Sequence, residues 1–233
     1  MDIGVIEAPT VKELFIQRMA DMIIKGELKP GDRLPSEREL AAQSHISKSA
    51  VHLALADLER MGFVETNARH GTYVCDFARN GNIETMNVLL RSSGGSFDAK
   101  KTKDMLEMRM ALEGKALELL AERWNEEAGK QLDEDVRKAE NLKDDTHGLA
   151  AEFFAYHHDI CFFSKNFILP LIFNTFEYVT IAYWEEAVRK LGSEKCIALM
   201  QEFNAVLKQK DAQMSKACLQ KEFDLFSNEV RKQ

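Results

Sequence analysis

The stretch PSERELAAQSHISKSAVHLALADLERMG, residues 35–62, contains two helix starts and one helix stop. Ser36 and Glu39 are spaced as a capping box, in which each side chain takes up an amide that a helix N-terminus leaves unbonded. A short helix is therefore expected from Ser36 to about Gln43. A turn through Ser44 and His45 leads to Ser47, an N-cap for the next helix, with Ile46 and Val51 placed as its hydrophobic staple. That helix buries Val51, Leu55 and Leu58 and stops at Gly62, where positive φ is cheap.

Upstream, Val11, Leu14, Phe15, Met19, Met22 and Ile23 recur at helical spacing, which predicts an amphipathic helix from Thr10 to Lys25. Downstream the period shortens: Phe63–Thr66 and Thr72–Val74 read as two strands joined by NARHG. Three helices and a hairpin in this order make a winged helix-turn-helix, whose third helix enters the major groove of DNA. The polar run CDFARNGN ends this domain. The expected organisation is a DNA-binding domain over residues 1–75, a linker over 76–82 and an all-α antiparallel bundle over 83–233. Its helices are expected at 83–93, 101–125, 128–144, 147–164, 167–190, 194–209 and 211–231, giving a mainly α fold class.

The chain is acidic, with net charge -7 over 233 residues, and residues 1–76 hold nine basic against twelve acidic side chains. Placement matters more than the sum. Ser47, Lys48, Ser49 and His52 open the third helix, while Asp57 and Glu59 lie toward its far end. A helix entering a groove needs donors at its N-terminus, where the amides and the dipole also favour phosphate. Arg38 lies near the start of the second helix, and Arg69, His70 and Gly71 form the hairpin tip. The plain alternative is a simple cap, a solvated face and an ordinary turn.

The segment IIKGELKPGDRLPSERELAAQSHISKSAVHLALADLERMGFVETNARHGTYV resembles the DNA-binding domain of the GntR family of bacterial transcription regulators. The resemblance implies operator contacts by Arg38, by Ser47, Lys48 and Ser49, and by His70 and Gly71. The family usually has arginine at the positions of Lys48 and His52 and a hydroxyl residue at Ala50. Lysine cannot make the bidentate arginine contact to guanine, so the family's operator sequence does not carry over.

MLEMRMALEGKALELLAERW and HHDICFFSKNFILPLIF are similar to the effector-binding domain of the FadR-type branch of that family. Many members of this branch bind a divalent metal through an aspartate, a histidine four residues on and two further histidines. Here those positions fall on Phe153, His157, Phe203 and Glu222. Two donors hold a transition metal poorly, so no metal and no cofactor are expected. Arg109 sits beside the apolar stripe of Met105, Met108, Leu112 and Leu119, and a cation on an apolar face requires an anion. Glu113, one turn on, supplies one as an ion pair; an effector carboxylate or phosphate is the functional alternative. The expected effector site is therefore Arg109, Phe153, His157, Phe203 and Glu222.

Other classes find little support. P-loop, GxSxG, HExxH and GxGxxG motifs are absent from the sequence, so an enzyme is not expected. A sequence-blind architectural DNA binder would carry net positive charge. Cys75, Cys161, Cys196 and Cys218 are scattered and form no CxxC pair. The N-terminus has no secretory pattern, and the most apolar stretch is broken by Lys165, Asn166, Pro170 and Asn174. The expectation is a cytoplasmic homodimeric repressor that binds palindromic operator DNA and a small-molecule effector and has no membrane partner. The effector is expected to be an apolar or amphipathic acid such as a fatty acyl species, with a sugar acid or hydroxycarboxylate as the alternative.

Overall fold

The structure, a computed structural model, describes residues 9–92 and 99–230. It divides into two units, residues 1–92 and 93–233. The first begins with α1 (Val11–Ile24), α2 (Glu37–Ser44) and α3 (Lys48–Arg60). Capping boxes start α1, through Thr10 and Glu13, and α2, through Ser36 and Glu39. Ser47 caps α3 by accepting from the Ala50 amide at 3.2 Å. The turn between α2 and α3 is closed by His45 in the left-handed conformation, φ 55°.

Strands β1 (Val64–Asn67) and β2 (Gly71–Val74) form an antiparallel hairpin with Glu65 opposite Tyr73. Residues 31–34 add a third rung to the hairpin. The Gly31 and Leu34 amides donate to the Val74 and Thr72 carbonyls, and Arg33 pairs with Tyr73. Phe15, Met19, Ile23, Leu40, Val51, Leu55, Leu58 and Phe63 close the core under the three helices. Gly62 takes φ +74°, and a Cβ there would lie 2.2 Å from the Asn80 carbonyl oxygen, so no larger residue fits.

The expected linker is partly helical. Asp76 caps a short helix, α4 (Phe77–Asn80), and α5 (Ile83–Ser92) follows. Residues 83–92 therefore group with the first unit, not with the second where they were expected. The cause lies in polar contacts that sequence spacing does not show. The Asn82 side-chain Nδ2 donates to the Arg60 carbonyl at 2.9 Å, the Thr85 hydroxyl donates to the Met61 carbonyl, and Arg60 pairs with Glu84.

The second unit is helical throughout its described residues: α6 (Ala99–Arg123), α7 (Glu126–Asn141), α8 (Thr146–Phe163), α9 (Ile168–Asn174), α10 (Glu177–Leu191), α11 (Ser193–Leu207) and α12 (Ala212–Val230). The connection expected between the helices at 83–93 and 101–125 falls largely outside the described residues. Helix α8 is the hub, packed against α6, α7, α9, α10 and α11. The helix expected over 167–190 is instead two. At the break the Thr175 hydroxyl donates to the Ile172 carbonyl, and the Thr175 and Phe176 amides close tight three-residue turns in place of helical ones. Among the described residues, no helix is long and apolar enough to cross a membrane.

Candidate DNA interface and effector site

In the first unit Arg38, Ser47, Lys48, Ser49, His52, Arg69 and His70 are all exposed, and Gly71 is half-buried. The acids at the far end of α3 are taken up by neighbours. Asp57 pairs with Lys12 at 3.0 Å and with Arg60 at 3.2 Å, and the Lys12 hydrogen bond holds its carboxyl below the ordinary value. Glu59 accepts from the Thr66 amide at 2.8 Å. The hairpin tip is fixed by backbone geometry: Arg69 takes φ 70°, Gly71 takes φ 105°, and the Tyr73 hydroxyl donates to the His70 carbonyl.

Two features of this surface escaped the sequence reading. Glu37 holds two of the side chains that open α3, with Oε1 2.7 Å from His52 Nδ1 and Oε2 3.8 Å from Lys48 Nζ. An open groove of about 770 Å³ also runs between α2 and the hairpin, bordered by Arg33, Ser36, Gln43, Asn67 and Arg69. Arg33 reaches the tip itself, because a Cβ on Gly71 would meet its Nε at 3.0 Å. The bridge between residues 33 and 73 places it there, and helical or strand periodicity gives no sign of it.

The second unit buries its charges. Arg109 is 0% exposed, Glu113 and His157 1%, and Glu222 6%. Glu113 of α6 joins two partners: Oε1 lies 2.6 Å from Arg109 Nε and Oε2 2.6 Å from His157 Nδ1 on α8. The other ring nitrogen, Nε2, stands 3.6 Å from Glu222 of α12. Burial alone would raise the Glu113 carboxyl, but Arg109 and His157 outweigh it and hold it below its ordinary value. Burial would likewise suppress protonation of His157, but Glu113 and Glu222 outweigh it and raise the imidazole. The Arg109 guanidinium lies against the rings of Phe173 and Phe223, 5.5 and 4.8 Å from their centroids.

Each end of this chain has unmet hydrogen-bonding capacity. Arg109 Nη1 and Nη2, Glu222 Oε2 and the nearby Tyr156 hydroxyl are buried without a partner. The ion pair between Arg109 and Glu113 thus forms, yet it uses only Nε and leaves the outer edge of the guanidinium unspent. All five expected effector residues are buried, and Glu113, Phe173, Phe223 and Tyr156, also buried, contact Arg109 or His157. Phe173 and Phe223 come from α9 and α12, so nothing local to Arg109 in sequence announces them.

The four positions that the sequence resemblance aligns with a metal site, Phe153, His157, Phe203 and Glu222, do not suit a divalent ion. Phe153 packs on Trp184 at 4.8 Å between ring centroids, and Phe203 packs on Tyr156 and His157. Phenyl rings have no lone pairs to offer, and both nitrogens of His157 face carboxylates. Among the described residues, no group of three or more His, Cys, Asp or Glu side chains could hold a metal ion.

These features define a two-unit chain, a winged helix-turn-helix followed by an all-helical domain with a buried charged site. Residues 12–74 match the family of bacterial regulatory proteins of the gntR type, and residues 104–224 match the FCD domain. The chain belongs to the GntR family and carries an FCD domain. It is 31% identical to the HTH-type transcriptional regulator LutR of Bacillus subtilis over 153 residues, 66% of this chain and 68% of LutR. It is 29% identical to YcbG, an uncharacterized HTH-type transcriptional regulator of the same organism, over 71% of this chain and 66% of YcbG. A third relative, Mb0601 of Mycobacterium bovis, also an uncharacterized HTH-type transcriptional regulator, is 33% identical over 58% of this chain. The matches span 66% of YcbG and 56% of Mb0601, somewhat under two thirds of each. The fold agrees with the solved structure described as "Lar controls the expression of the Listeria monocytogenes agr system and mediates virulence", with TM-score 0.65 and 15% identity over 98% of this chain and 100% of that one.

Proposed function

We propose that this protein is a ligand-responsive transcription regulator, a repressor that reads a palindromic operator as a homodimer and has no catalytic role. The observation that carries this reading is the exposure of the donors that open α3 and of Arg69 and His70 at the hairpin tip, while the acids of the same helix are bonded elsewhere. Ser47, Lys48, Ser49 and His52 reach base edges and phosphates, Arg38 and Arg69 grip the backbone, and His70 with Gly71 enters the neighbouring groove. Two copies would place their reading helices on half-sites about one helical turn apart.

The effector is an organic acid held in the helical domain. Its carboxylate takes the two free nitrogens of Arg109 as a bidentate pair. The aromatic walls of Phe153 and Phe203 support an apolar or amphipathic acid such as a fatty acyl species. The unmet polar atoms of Glu222 and Tyr156 favour the second reading, a small acid such as a hydroxycarboxylate, because an acyl chain offers them nothing. Binding shifts the protein only to the extent that the effector prefers one arrangement of the two reading heads. A soluble cytoplasmic setting follows from this role.

Lys48→Ala tests the DNA reading. Binding to a palindrome selected from random duplex should weaken about tenfold or more, which is about 1.4 kcal/mol, with no drop in melting temperature. Unchanged affinity would remove Lys48 from the interface. Native mass spectrometry of the purified protein tests the rest: it should show a dimer and no stoichiometric zinc or nickel.

A further inference from the structure

We infer that the ligand of the buried site is a zwitterion, a small amino acid whose carboxylate binds Arg109 and whose ammonium binds Glu222. This rests on the reading of the helical domain as an effector-binding domain and specifies what that effector carries.

The argument begins with charge. Arg109, Glu113, His157 and Glu222 form one continuous chain at 2.6, 2.6 and 3.6 Å, and all four are at least nine-tenths buried. Carboxylates face both nitrogens of His157, an arrangement that suits the imidazolium, since both nitrogens then act as donors. With His157 charged, two cations and two anions close the cluster at zero net charge. The surroundings are Phe153, Trp184, Phe203, Phe173 and Phe223, which do little to stabilise an uncompensated ion. A plain carboxylate docked on Arg109 would leave one negative charge in that setting. A zwitterion adds none.

Hydrogen bonding leads to the same ligand independently. The chain ends in two donors at Arg109, Nη1 and Nη2, and in an acceptor at Glu222, Oε2, each buried without a partner. One molecule that satisfies both ends must combine a bidentate acceptor with a strong donor. An α-carboxylate and an ammonium are that combination. The Tyr156 hydroxyl, also buried without a partner, is a further acceptor available to such an ammonium.

The full-length protein is melted in the presence of each of the common L-amino acids, β-alanine and γ-aminobutyrate, every one paired with its deaminated acid and its decarboxylated amine. At least one amino acid should raise the melting temperature by about 5 °C, with its acid and amine below about 1 °C, as expected for a ligand far above its Kd. Glu222→Gln should abolish that shift. If no amino acid shifts the melt, or if the deaminated acid matches its parent, the inference is overturned; the wild-type panel alone decides this even if the variant folds poorly. A shift from acids alone leaves an acid effector in place and removes only the ammonium. Lys48-dependent operator binding, measured without ligand, judges the regulator reading separately.

Discussion

Glu37 in the first unit and Glu113 in the second do the same thing in opposite surroundings. Each uses one oxygen to hold a histidine and the other to hold a cationic side chain: His52 and Lys48 for Glu37, His157 and Arg109 for Glu113. The first trio is open, with Lys48 69% and His52 67% exposed. The second is 0–1% exposed. Exposed pairs contribute about 0–1 kcal/mol and are screened by salt, so Lys48 and His52 can exchange Glu37 for a phosphate at little cost. Buried pairs cannot be exchanged. Removing one partner strands the others in a low-dielectric interior, so only a ligand bringing matching charges can enter.

The sharpest way to break this comparison is Glu113→Ala. It strips the partner from both Arg109 and His157 and should cost about 3–5 kcal/mol, read as a lower urea midpoint for the helical unit. A loss below about 1 kcal/mol would mean that the cluster is solvated and that the contrast with Glu37 fails.

Next in size is the pH dependence of that unit. The folded value of His157 lies above its ordinary 6.5, so the folded state keeps a proton that the unfolded chain gives up. Its stabilisation is complete below pH 6.5 and is lost as pH rises through the folded value. A urea series across that window should show the fall, and His157→Gln should flatten it. A midpoint that rises over the same interval would contradict the imidazolium.

The smallest effect belongs to the exposed trio. Glu37→Gln should change stability by less than about 0.5 kcal/mol. It should tighten binding to the selected palindrome a few-fold at low salt, and the gain should shrink as salt screens the freed charges. Weaker binding by this variant would show that Glu37 positions Lys48 and His52 for DNA and does not compete with it.

Legibility in sequence followed the range of the interactions. The capping box at Ser36 and Glu39, the Ser47 cap and the glycine stop at Gly62 lie within a few residues of what they act on, and the structure places each there. Contacts from further along the chain were not readable. Asn82 and Thr85 bond to the end of α3 across 22 and 24 residues and draw α5 into the first unit. The break at Thr175 is a local exception, marked by its hydroxyl bonding the Ile172 carbonyl three residues back, which hydrophobic spacing does not show.

The sequence alone set the order of three helices and a hairpin, the concentration of donors at Ser47 to His52, and the presence of Arg109 on an apolar helix face. Those are consequences of local spacing, caps and turn residues, which act through backbone hydrogen bonds over a few positions. Only tertiary packing decided that Glu113 would link Arg109 to His157, that Glu222 and Tyr156 would arrive beside them, and that two guanidinium nitrogens would be left over. Burial depends on where distant helices cross, and it is burial that turns a common ion pair into a site with defined unmet needs.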